Sequence, residues 1–158
     1  MLRRIVAFLL ALVAMIVLGS TAHSYFVQEA WSTAAGLANN ASPAEISPAE
    51  RLAWAAHDVG GMFLQYGGTT SLALLIAFLI AGAVARFSGH RSVVFAIAGA
   101  VAILVLFTTL KLVLGTVGIF GARGASGLAA QTAVGLIAGV LFAYLTRPRD
   151  SRRSTTAG

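Results

Sequence analysis

Four runs of apolar residues, at 5–21, 69–86, 92–114 and 125–146, decide what this chain can fold into. A helix rises about 1.5 Å per residue, so crossing a hydrocarbon layer of about 30 Å takes roughly 20 apolar residues. The third and fourth runs reach that length. The second has no charge between Thr69 and Ala85, and the first is the shortest. Inside hydrocarbon every backbone polar group must be bonded within the chain, which a helix does by itself. The expectation is an all-α integral membrane protein, a four-helix transmembrane bundle forming one domain over 1–146, followed by a basic, disordered tail at 147–158. Only 10% of the residues are charged, against about a quarter in a soluble domain, so the outer surface belongs against lipid.

Arginine placement sets the orientation. Arg3 and Arg4 precede the first run, Arg86 and Arg91 sit between the second and third, and Arg147, Arg149, Arg152 and Arg153 follow the fourth. With four spans these eight fall on one side. Arg51 and Arg123, with four of the five acids (Glu29, Glu45, Glu50 and Asp58), fall on the other. Positive charge stays in the cytoplasm, so both termini are expected there. The net charge of +6 therefore reads as a topology signal with some attraction to anionic lipid. It does not read as a nucleic-acid patch, because no aromatic residues interleave with it. The first run has a second reading: Met1-Leu2-Arg3-Arg4, an apolar stretch at 5–18 and the small-x-small Ala22-His23-Ser24 form a signal-peptide pattern. Its continuation through Tyr25, Phe26 and Val27 to Trp31 favours a retained first span.

The loop at 24–68 is the main polar segment. "SPAERLAWAAHDVGGMF" opens with Ser47 as N-cap, Pro48 at the first helical position and Glu50 closing a capping box. A short helix over 48–59 is expected, ended by Gly60-Gly61. Leu52, Ala56 and Val59 form its apolar stripe, and Arg51, Trp54 and Asp58 the opposite one. The expected pose lies across the outer mouth of the bundle with the apolar stripe down. Residues 25–37 either form another short helix or extend the first span.

Few polar side chains interrupt the runs. Lys111, the only lysine, lies about 12 Å from the middle of its span, near enough to the surface for its ammonium to snorkel to the headgroups. Gln131 lies about 6 Å from the middle of the fourth span. An amide facing lipid would be unsatisfied, so Gln131 is expected to face protein, bonded to Thr108 or to backbone. It starts a four-residue stripe with Gly135, Gly139 and Ala143, in which Gly135 and Gly139 form a GxxxG surface for close helix contact. A ligand pocket drawn from the outer half would combine Lys111, Thr108, Gln131, His57 and Asp58. His57 and Asp58 are sequence neighbours and do not face each other on a helix, so they make no ready dyad. The histidines, at 23, 57 and 90, have no second ligand at metal spacing, and cysteine is absent. The glycine-rich stretch at 115–127 lacks the strand–turn–helix setting of a phosphate loop. No cofactor and no metal are expected.

"AHSYFVQEAW" after the first run, "RLAWAAHDVGGM" and the three runs that follow resemble a group of small four-span bacterial inner-membrane proteins. That resemblance implies the bundle fold and carries no activity. The functional expectation is a non-enzymatic structural or accessory subunit whose partners are the bilayer and another membrane protein or a second copy. The alternative is a binding or transport protein with an outward pocket around Lys111, Gln131, His57 and Asp58.

Overall fold

The computed structural model describes residues 1–115 and 122–147. Among them there are four helices and no strand: α1 (Leu2–Ala38), α2 (Pro48–Ser88), α3 (Arg91–Leu114) and α4 (Ala125–Leu145). All four are long and apolar enough to cross a membrane. The tail beyond Arg147 and the middle of the glycine-rich connection lie outside the described residues. Each helix runs antiparallel to the next, and α1 packs on α4, so the four close into a ring. The tightest turn is Gly89-His90, where Gly89 takes φ 67°, a left-handed cap that lets α2 end and α3 begin at once.

Two cross-sections hold the ring together, each with one residue from every helix. Near the arginine-rich end, Phe8, Phe78, Phe95 and Phe142 meet. Phe78 stacks on Phe142 at 4.7 Å between ring centroids and meets Phe95 edge-on at 5.6 Å. Nearer the other end, Gly19, Tyr66, Phe107 and Gln131 form a second layer, described below. Between them the buried stripes repeat every three or four residues: Ala7, Ala11 and Met15 on α1, Phe95, Gly99 and Ile103 on α3. The opposite faces carry leucine, isoleucine and valine into the surroundings, as in Leu9, Ile76, Leu79, Val105 and Ile137.

Gly135 and Gly139 lie against α3. A Cβ on Gly139 would stand 2.0 Å from the Phe95 carbonyl oxygen, and one on Gly135 would stand 2.5 Å from that of Gly99. Gly99 completes the contact from the facing helix, and Ala143 is fully buried in line with the two glycines. Backbones this close are what the absence of side chains permits.

The loop at 24–68 departs from expectation. The first span continues as α1 to Ala38, the second of the two courses expected for 25–37, but the helix that starts at the Ser47 cap does not stop at Gly60-Gly61 and runs on to Ser88. Neither glycine takes the left-handed conformation that would end a helix. Packing on both sides of the pair outweighs the roughly 1 kcal/mol that each glycine costs in a helix interior. Counted from the Gly19–Gln131 layer, α1 and α2 reach roughly 18 Å further than α3 and α4 at 1.5 Å per residue. They form an upright hairpin, not a helix lying across the bundle mouth.

The hairpin is also turned the other way round. Arg51, Trp54 and Asp58 face α1, while Leu52 is 72% exposed and Ala56 is exposed. The reason is the partner: this stretch of α1 presents Gln28, Glu29, Trp31 and Ser32, and polar groups on α2 answer them. Arg51 pairs with Glu29 at 2.9 Å, Trp31 meets Trp54 edge-on at 5.6 Å, and the Gln28 amide donates to the Arg51 carbonyl. The Ser32 hydroxyl donates to the Ala44 carbonyl, and the Ala44 N–H returns a bond to that of Ser32. At the α2 cap, the Ser47 hydroxyl and N–H both donate to the Glu50 carboxylate, holding it below the usual glutamate range.

Gly60 and Gly61 meet nothing within 4 Å of an added Cβ. Replacing both with alanine should therefore stabilise α2, by up to about 1 kcal/mol each. Hydrogen exchange at residues 56–66 checks this: slower exchange is expected, and unchanged or faster exchange would mean that the pair bends in solution.

Candidate functional site

The most polar point of the apolar core is built from three helices. Tyr66 Oη donates to Gln131 Oε1 at 2.6 Å, and Gln131 Nε2 donates to the Gly19 carbonyl at 2.9 Å. Tyr66 and Gln131 are both 0% exposed, and Phe107 stacks on the Tyr66 ring at 6.5 Å. Each member is placed by its helix register. Gly19 gives up its side chain because a Cβ there would fall 1.9 Å from the Tyr66 oxygen. One turn below Tyr66, Thr70 bonds back to the Tyr66 carbonyl. On α1 the line continues outward at four-residue spacing through Ser20, Ser24, Gln28 and Ser32, all buried. The Gln28 amide also donates to the Ser24 hydroxyl. A buried amide with both ends bonded is a clasp between helices.

Of the two partners expected for Gln131, the structure has backbone, the Gly19 carbonyl, and not Thr108. Thr108 is exposed and bonds back to the Leu104 carbonyl. The buried face of α3 is Phe95, Gly99, Ile103 and Phe107, and Thr108 sits about 100° round from it. Lys111 is exposed in the last turn of α3, where a cation also complements the carbonyl end of the helix. His57 is exposed on the hairpin, and Asp58 turns toward α1, where its charge reaches His23. The structure therefore does not gather Lys111, Thr108, Gln131, His57 and Asp58 into one pocket. Gln131 is spent inside the bundle, two of the others lie on the outside of α3, and two stand about 12 Å or more above Tyr66 along α2. Among the described residues no group of three or more histidines and acids could hold a metal ion.

Sequence reasoning did not find Tyr66, Gly19 or Gly99. A signal for α1 did exist: Ser20, Ser24, Gln28 and Ser32 recur every four residues. It marks a face that must be turned to protein. Tyr66 and Gly99 carry no such mark in a single sequence.

A second feature lies on the outside. Between α2 and α3 runs an apolar groove of about 730 Å³. Alanines line it on both helices, Ala73, Ala77 and Ala81 on α2 and Ala98 and Ala102 on α3, between larger apolar side chains such as Ile76, Ile80, Val101 and Val105, and a threonine closes each helix's share at the upper end, Thr69 and Thr109.

No known protein family, characterised protein or solved structure matches the chain.

Proposed function

We propose that this chain is a multi-pass protein of a bacterial inner membrane, with both termini in the cytoplasm, that works by packing against a helix of another membrane protein. The apolar exposed faces and the sorting of arginines to one end of the bundle support the membrane placement. The groove between α2 and α3 carries the partner reading. The glycines that permit the closest helix contacts are used inside the chain, between α3 and α4. The alanines of α2 and α3 leave a trough on the outside. In lipid, helices associate through such small-residue surfaces, because hydrocarbon offers no hydrophobic drive of its own. The occupant we assign is one transmembrane helix of a second membrane protein.

Filling the trough tests this. Ala77→Leu with Val101→Phe should leave the thermal midpoint of the isolated protein within a few degrees, since Val101 is about half exposed and Ala77 lies outside the buried core. The same pair should abolish co-purification of a membrane-protein partner in mild detergent. A partner retained by the filled variant would reject the groove as the contact. If the wild type instead migrates as a dimer and the variant as a monomer, the partner helix belongs to a second copy. Because the chain has no cysteine, single cysteines at Ala41 and Ser88, both exposed, also report which end faces the cytoplasm.

A further inference from the structure

The arginine-rich end holds a feature that neither the clasp nor the groove uses. Helix α3 starts there with no side chain capping its first turn, so its leading N–H groups face outward unbonded by side chains. Beside that turn is a cavity of about 380 Å³ lined by Gly89, His90, Arg91, Ser92, Val93 and Arg147. The two guanidinium groups are held, not free. Arg91 donates through Nη2 to the Thr146 hydroxyl at 2.6 Å and lies 4.7 Å over the Phe95 ring. Its Nε is shielded from solvent and has no partner in the protein. Arg147 lies 5.2 Å over the Tyr144 ring, and Arg3 fastens the same corner by donating to the Leu145 carbonyl at 2.9 Å and to that of Arg147.

This concentration of like charge is not neutralised within the described residues. Arg3 and Arg4 stand close enough to repel Arg91. The one ion pair among the described residues, Arg51–Glu29, is at the far end of the molecule. The acids of the described residues, Glu29, Glu45, Glu50 and Asp58, all sit on the hairpin and its loop. Asp150 is a single acid against Arg3, Arg4, Arg91 and Arg147. Two arginines, a serine and an open helix N-terminus all carry donors, and they line one cavity. That donor set matches a tetrahedral oxyanion, to which arginine binds through paired N–H groups and the helix end adds its dipole.

We propose that the cavity at the start of α3 is a phosphate site, with Arg91, Arg147 and Ser92 as the binding groups. At this level of the bundle the phosphate has two possible sources, the headgroup of an anionic phospholipid and a soluble phosphate compound. The site is independent of the partner groove, since it shares none of the groove's lining residues.

The test uses the full-length protein in neutral detergent. Its thermal midpoint is followed against added dioleoyl phosphatidylglycerol, dioleoyl phosphatidylcholine, or inorganic phosphate balanced with chloride at equal ionic strength. Phosphatidylglycerol should raise the midpoint at concentrations where phosphatidylcholine does not. Arg91→Gln with Arg147→Gln should weaken that response roughly tenfold, as loss of charge-assisted hydrogen bonds does. Arg86→Gln, which removes one charge from the same end without touching the cavity, should keep the response. Arg147→Gln alone changes an exposed residue and guards against misfolding of the double variant. Stabilisation by inorganic phosphate that the double variant loses supports the site with a soluble source. Equal responses to the two lipids, or equal losses in Arg86→Gln and the double variant, would overturn the proposal.

Discussion

Gly139→Leu is expected to yield no folded protein from detergent. The Cβ alone would stand 2.0 Å from the carbonyl oxygen of Phe95, 2.7 Å from its carbon and 3.0 Å from Cα of Ala96. All three are backbone atoms of a helix, so no rotamer change makes room. Helices α3 and α4 must move apart, and the contact at Gly99 and Gly135 opens with them. Overpacking in a core costs about 1–3 kcal/mol where neighbours can adjust, and more where they cannot. In a lipid-embedded bundle close packing is itself the force that holds helices together, so the loss falls on the main source of stability. Gly139→Ala should already lower the thermal midpoint by several degrees, and Gly135→Leu with Gly139→Leu should match the single leucine variant. Gly82→Ala is the control, because its Cβ would meet only the Phe95 ring edge at 4.0 Å. A monodisperse, wild-type-like elution of Gly139→Leu would mean that α3 and α4 do not touch at these glycines.

Loss of the clasp comes next in size. Gln131→Leu leaves the Tyr66 hydroxyl buried without an acceptor, and Tyr66→Phe leaves the Gln131 carbonyl oxygen without its donor. An unsatisfied buried group costs about 1–3 kcal/mol, whereas interhelical bonds in membrane bundles contribute only about 0.6 kcal/mol net on average. Each single variant is therefore expected to lose more than the bond is worth. The double variant, with both partners apolar, should recover part of the loss. Denaturation in a mixed detergent series measures the cycle. Strict additivity of the two single losses would show that Tyr66 and Gln131 do not act as a pair. The clasp also ties the first helix into the core: α1 supplies the Gly19 carbonyl together with Ala7, Ala11 and Met15. A chain without residues 1–24 would lose all of these contacts at once.

The helices were legible in the sequence because their physics is local. Apolar length over 92–114 and 125–146 matches α3 and α4 to within a residue or so, and the capping box at Ser47 marks the start of α2 where the structure has it. The course of α2 after that start was not legible. A Gly-Gly pair is a stop signal only if the chain turns there, and that depends on what α1 offers alongside. The orientation of the hairpin failed for the same reason. Leu52, Ala56 and Val59 make an apolar stripe, but the neighbouring surface is Glu29, Gln28 and Ser32, so the charged stripe turns inward. At Gln131 the need for a protein partner could be argued from the amide alone. Which partner it takes depends on helix rotation, and one residue of register separates the buried Phe107 from the exposed Thr108.

The unbroken course of α1 and α2 has a mechanical side. Two continuous rods connect the Arg51–Glu29 pair at the hairpin with the Gly19–Tyr66–Gln131 clasp beneath it. A sideways load on the tip is therefore delivered to that clasp as leverage and not absorbed by a hinge loop.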